Sequence, residues 1–315
     1  MSEEGLVFWI GFNAFVVAAL VFDLCILRRK ARAVTVREAA IQSLVWVTLA
    51  LAFNAGVLFW KGPQVALQFF TGYIVEYSLS VDNIFVFLML FSYFSVPAAY
   101  QHRVLFWGIL GAIVMRGSFI VVGSALLARF EWIMYIFGGF LVLTGIKMGT
   151  QKEVELKPDS NPVLKLVRRF MPVTDRYQGQ KLIIKRAGRL VATPLLLVLV
   201  LVETTDLLFA LDSIPAVLAI SRDPFIVYTS NVFAILGLRS LYFLLAGAVG
   251  MFRFLKYGLS VILTFVGAKM LLASFVHIPI PIALMVIVCV LASTIAASVL
   301  VPEKRDSGGG HRKAS

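Results

Sequence analysis

The chain has 315 residues, of which 60% are hydrophobic and only 15% charged. That composition holds too little polar surface to clothe a soluble core, so a water-soluble globular protein and a disordered chain are both excluded. The net charge of +12, in a chain of mean hydropathy +0.91, reads as loops anchored on one side of a membrane and not as a nucleic-acid surface.

Apolar segments bounded by charges or turn signals place spans at Leu6–Leu27, Ala39–Trp60, Pro63–Ser95, Val104–Ala128, Trp132–Gly149, Leu190–Ile220, Phe225–Gly250, Tyr257–Phe275 and Ile280–Val301, each longer than the roughly 17 residues that suffice to cross a bilayer. Nine spans are therefore expected. The first is retained and not cleaved, because its leading residues are acidic and Arg28-Arg29-Lys30 closes it as a stop-transfer cluster. Of the 29 Lys and Arg residues, 22 fall in loops on one side and three (Lys61, Arg129, Arg222) on the other, while Arg116, Lys147, Arg239 and Lys269 lie inside spans. Basic loops stay inside, which puts the N-terminus outside and the C-terminus in the cytoplasm.

The fold class expected is all-α and polytopic. Residues 1–62 form two N-terminal spans with a basic cytoplasmic loop, 63–149 a three-helix repeat, and 150–189 a cytoplasmic linker. A second, inverted three-helix repeat occupies 190–276, a last span 277–302 and a disordered tail 303–315. The linker carries ten basic residues, three prolines and one amphipathic turn at Val163–Phe170, which could touch anionic headgroups or simply set topology.

The repeat is the sharpest signal. Glu76-x5-Asp82-Asn83-Ile84 returns as Asp206-x5-Asp212-Ser213-Ile214 at an offset of 130. Arg116 answers Arg239 at 123, and Tyr135, Gly145, Lys147 and Met148 answer Tyr257, Gly267, Lys269 and Met270 at 122. An odd number of spans per unit inverts the second copy, and inverted repeats commonly build a midplane site in secondary transporters.

The candidate ligands are Glu76, Asp82, Asn83, Glu203, Asp206, Asp212 and Ser213. A carboxylate at mid-span costs roughly 2.5–3.5 kcal/mol, so five of them call for a use. A six-residue spacing turns about 240° round a helix, so Glu76 and Asp82 cannot face one way unless the helix breaks. Pro215 favours such a break after Asp212, with freed carbonyls added to the site. With the Ser80 hydroxyl these groups form an oxygen-only set, suited to Mg, Ca or Mn. The competing reading is an ion pair of each acid with Arg116, Arg239, Lys147 or Lys269, although the two lysines sit near enough to span ends to snorkel away. Arg116 and Arg239 read as counter-charges or gate partners.

The two cysteines, Cys25 and Cys289, and three histidines are too few and too scattered for a zinc, haem or dithiol centre. No cofactor signature and no ATP motif is present.

The run Val75-Glu76-Tyr77-Ser78-Leu79-Ser80-Val81-Asp82-Asn83, paired with Asp206-Leu207-Leu208-Phe209-Ala210-Leu211-Asp212-Ser213-Ile214-Pro215-Ala216, resembles the twin motifs of the TerC family of integral membrane proteins. The likeness is closest to its Alx branch. It extends from the first span to the ninth, through Phe91–Pro97 and Phe233–Arg239, and leaves only the 150–189 linker unmatched. It implies a bacterial inner-membrane protein connected with manganese export, with motif acids at Glu76, Asp82, Asp206 and Asp212 and Glu203 beside them. It also implies the family's older labels of tellurite resistance and membrane redox modulation.

The expectation is thus a membrane carrier and not an enzyme, exporting a divalent ion, Mn2+ first, with proton exchange as the natural coupling. A redox modulator is the alternative, and a scaffold recruiting proteins through the 150–189 linker is the third. The partners expected are the bilayer and the ion, with no nucleic acid.

Overall fold

The computed structural model describes residues 3–29, 35–130, 132–150, 162–174, 176–186, 189–246, 254–276 and 278–300. They form eleven α-helices and one β-hairpin: α1 (Glu3–Arg29), α2 (Val36–Lys61), α3 (Pro63–Tyr93), α4 (Ala98–Arg129), α5 (Ile133–Thr150), α6 (Pro162–Phe170), β1 (Ile183–Arg186), β2 (Arg189–Ala192), α7 (Pro194–Leu218), α8 (Pro224–Leu236), α9 (Leu238–Ala246), α10 (Leu255–Leu271) and α11 (Ile280–Leu300). Seven stretches, six of them single helices and the seventh α8 with α9, are long and apolar enough to cross a membrane, and Leu6–Phe22 within α1 is a shorter apolar stretch. The outer surface is itself apolar, with Phe59 89%, Leu143 70% and Phe22 69% exposed, as a lipid-facing wall must be and a water-facing one cannot.

Local sequence sets the helix ends. Thr35 and Glu38 make a reciprocal capping box at the start of α2. Pro63, Pro194 and Pro224 each open a helix, where a missing amide costs nothing. Between α2 and α3 the chain turns on Gly62 at φ +88°, a backbone region open to glycine at little cost. Lys61 then reaches Asp223, the N-cap of α8, at 2.5 Å, and ties that corner down.

Two sequence expectations need correction here. The sixth span does not start at Leu190: residues 189–192 are β2, and the helix begins only at Pro194. The residue before proline avoids helical backbone, and Thr193 instead donates to the carbonyls of Lys181 and Leu182. The linker is accordingly no plain loop, since it holds α6, where the amphipathic turn was expected, and an antiparallel hairpin pairing Ile183 with Ala192 and Arg186 with Arg189. Second, α7 does not break at Pro215. The proline falls in the last turn, so the one bond it withholds, to the Leu211 carbonyl, lies next to the helix end, and the helix runs on to Leu218 with the amide of Ala219 bonding to the Pro215 carbonyl.

Helices α3, α4, α7 and α8 form the centre, α3 packing on both α7 and α8 and α4 on α7 and α8. Contacts of Gly108 with Val202, Gly111 with Glu203 and Gly123 with Leu218 run in the same sequence order on both helices, so α4 and α7 are parallel. Helices α5 and α10 make the closest pair, antiparallel and glycine-lined. A Cβ on Gly267 would sit 2.6 Å from the carbonyl of Gly138 and 2.8 Å from the amide of Val142. Gly267→Ala should therefore cost about 1–3 kcal/mol by overpacking, while Gly139→Ala, with nothing within 4 Å, should cost nothing. Thermal unfolding of the two purified variants checks this.

Candidate functional site

Between α3, α4 and α7 lies a charged group sealed from solvent. Glu76 on α3 is fully buried, and Arg116 on α4 and Asp206 on α7 are 2% and 4% exposed. One guanidinium serves both acids. Its Nη2 and Nε donate to the two oxygens of Asp206 at 2.9 and 3.3 Å, a forked arrangement, and Nη1 meets Glu76 Oε1 while also reaching Ser213 Oγ at 3.4 Å. The Asn83 amide donates to Asp206 Oδ1 at 3.4 Å. Two carboxylates against one guanidinium leave the trio with one formal negative charge. That imbalance is costly in a medium of low dielectric unless a second cation or a proton is at hand.

The face of α3 turned to this cluster is unfinished. Residues 76, 80 and 83 repeat at i, i+4 and i+7 and share one side of the helix. Among the described residues, Glu76 Oε2, Ser80 Oγ and Asn83 Oδ1 are buried oxygens without a hydrogen-bond partner. Buried polar atoms are nearly always satisfied, so three such oxygens on one helix face set this face of α3 apart.

The other predicted ligands divide. Ser213 joins the cluster through Arg116, and Asn83 through Asp206. Glu203, one turn before Asp206 and half-buried, lays its carboxylate over Gly111 of α4, where the missing side chain leaves room. Asp212 does not join. It faces α5, where the Thr144 hydroxyl and the Lys147 charge act on it, because an unbroken α7 turns position 212 about 120° away from 206. With no break, the six-residue spacing in α7 sends Asp206 and Asp212 to different surfaces. Lys147, read as snorkelling to a span end, lends its charge to Asp212 instead. Asp82 lies in α3, with its side chain outside the described residues, and Arg239 is buried in α9.

Sequence reasoning missed Gly111 and Thr144, which carried no repeat signature, and underrated Arg116, whose recurrence as Arg239 was the available signal. Among the described residues no three His, Cys, Asp or Glu side chains form a metal cage, since a guanidinium stands between the two acids that would begin one.

An apolar-walled helical bundle with a buried ion cluster in its centre is a polytopic integral membrane protein. This chain belongs to the TerC family: residues 61–306 match the model described as the integral membrane protein TerC family. It is 53% identical over 293 residues to an uncharacterized membrane protein of Myxococcus xanthus, covering 93% of this chain and 92% of that one. It is 50% identical over 313 residues to the Escherichia coli K12 protein named "Putative membrane-bound redox modulator Alx", covering 96% and 97%. An uncharacterized membrane protein of Rickettsia felis is 39% identical over 292 residues, covering 93% and 97%. No solved structure matches.

Proposed function

We propose that the chain is a secondary exporter of divalent cations, Mn2+ first among them, in which the ion takes the place that Arg116 holds between Glu76 and Asp206. The observation that carries this reading is the oxygen set around the guanidinium: the Glu76 and Asp206 carboxylates with the orphan oxygens of Ser80 and Asn83. Oxygen donors without sulfur or imidazole suit hard cations, and Mn2+ is the transition metal among those that accept them. Release of Arg116 to Ser213 or beyond would open the two acids to the ion, and its return would expel it. On this reading the protein is a carrier, not an enzyme.

Two inverted units of three spans each, α3–α5 and α7–α10 with α8 and α9 as one span, would supply the two halves of the site. Packing supports this. The pairing of α3 with α8 is answered by that of α7 with α4, and α5 meets α10 directly. The glycine contacts are more telling: Gly138 backs on Gly267, and Gly145 on Ser260, whose hydroxyl donates to the Gly145 carbonyl at 2.5 Å. Shifting 138 forward by 122 gives 260, and shifting 267 back by 122 gives 145, so the offset of the repeat turns one contact into the other. With α1 and α10 counted beside the seven candidates, nine spans result, the N-terminus periplasmic and the C-terminus cytoplasmic in a bacterial inner membrane.

Flux of Mn2+ in proteoliposomes tests the reading: Glu76→Gln should abolish it, and a pH gradient should accelerate it if protons move in exchange. Flux unaffected by Glu76→Gln sinks the site, and indifference to pH removes the proton.

The name borne by several relatives favours a second reading, a membrane redox modulator. Cys289 is exposed on α11, and the side chain of Cys25 lies outside the described residues. Replacing both with serine should leave Mn2+ flux unchanged, whereas loss of function would favour the redox reading.

A further inference from the structure

We propose that α6 and the β1–β2 hairpin form an in-plane anchor that seats on the anionic headgroups of the bilayer the chain spans, with Leu166 and Phe170 dipping below the phosphates. Helix α6 is only nine residues long, with one broad apolar face and one basic face. Leu164, 1% exposed, and Val167 form one edge of the apolar face and turn inward to the core cluster that includes Leu195, Leu197 and Val198 of α7. Leu166 and Phe170, one turn apart, form its other edge and are 52% and 80% exposed. Packing on the core uses only the first edge and leaves this outer stripe unspent. Lys165, Arg168 and Arg169 make up the basic face, the pattern of a helix that lies in a membrane interface. The hairpin also presents apolar side chains beside a basic one: by register Ile183 and Leu190 lie diagonally on one face and both are exposed, with Lys185 on that face directly opposite Leu190.

Position commits this surface to lipid. The Tyr177 hydroxyl donates to the carbonyl of Phe94, which caps α3, at 2.7 Å, and the Gln180 amide donates to the carbonyl of Ala99 in the first turn of α4 at 3.1 Å. Thr193, the N-cap of α7, holds the segment from the other side at 2.8 Å from Lys181 O. The unspent stripe is thereby fixed beside the ends of three membrane-spanning helices. Charge selects the lipid. Between positions 162 and 192 there are eight Lys and Arg residues against one acid, which attracts an anionic leaflet and sets two copies of this face against each other. The inference does not depend on what the chain carries.

The test uses the full chain in a Cys25→Ser, Cys289→Ser background with a nitroxide at Phe170→Cys, reconstituted in vesicles of phosphatidylcholine alone or mixed with phosphatidylglycerol. Power saturation with oxygen and a water-soluble nickel chelate should place the label below the phosphate level in the mixed vesicles and nearer water in the neutral ones. Each of Lys165→Gln, Arg168→Gln and Arg169→Gln should reduce the preference for phosphatidylglycerol about fivefold. A label equally wet in both vesicles, an equal depth that ignores the three charges, or spin coupling between copies would overturn the proposal. Should Phe170→Cys misfold, Leu166→Cys gives the same reading. Native mass spectrometry of the unlabelled protein then decides independently: equal phosphatidylglycerol retention by wild type and the triple Gln variant overturns it.

Discussion

Arg116→Gln should unfold at a markedly lower temperature than the parent protein, and added Mn2+ should restore much of the loss. The glutamine strands Glu76 and Asp206, both buried, without their shared counter-charge, and removal of one partner from a buried ionic group costs about 3–5 kcal/mol. If the guanidinium occupies the substrate position, a divalent ion can take its place in the variant with no competitor. Ligand at about 100 times its dissociation constant returns about 2.7 kcal/mol, so the Mn2+-induced rise in Tm should be several degrees larger in Arg116→Gln than in the parent. Arg116→Lys keeps the charge and loses the fork to Asp206, and should fall between the two. Thermal unfolding in detergent, with and without Mn2+, reads all three. A variant that loses stability and gains nothing from the ion would make Arg116 a plain structural counter-charge.

Asp206→Asn is expected to separate folding from transport. Arg116 still has Glu76 as its partner, and one negative for one positive charge leaves the trio neutral, so the variant should remain within about 1 kcal/mol of the parent, the worth of one altered hydrogen bond. Transport should nevertheless fall by about 100-fold or more, since even outer-shell changes at metal sites cost 10- to 100-fold and Asp206 would be a direct ligand. The neutral trio also loses the charge imbalance that would draw a cation in. Proteoliposome flux alongside the Tm gives both numbers, and a stable Asp206→Asn protein that transports at the parental rate would exclude Asp206 from the ion path.

The amino-acid sequence by itself determined the membrane class and the apolar helices. Composition leaves no alternative solvent for runs such as Leu195–Val202, and backbone polar groups in lipid are satisfied within a helix. Proline and capping residues fix several helix starts locally, although apolarity alone put the sixth span at Leu190, four residues before its start at Pro194. The repeated acids stood out for the same kind of reason: a carboxylate within an apolar run is conspicuous wherever the helix later packs. What only the tertiary structure decided was who faces whom. The continuity of α7 past Pro215 sends Asp206 to Arg116 and Asp212 to α5, and a helix phase cannot be read from a motif whose six-residue spacing allows a break. That one guanidinium gathers an acid from α3 and another from α7 depends on α3 and α4 both packing against α7. Gly111 and Gly267 gain their importance only from the backbone or carboxylate brought against them. Contacts of this kind join residues tens to more than a hundred positions apart, and nothing in the local physics of either partner specifies the other.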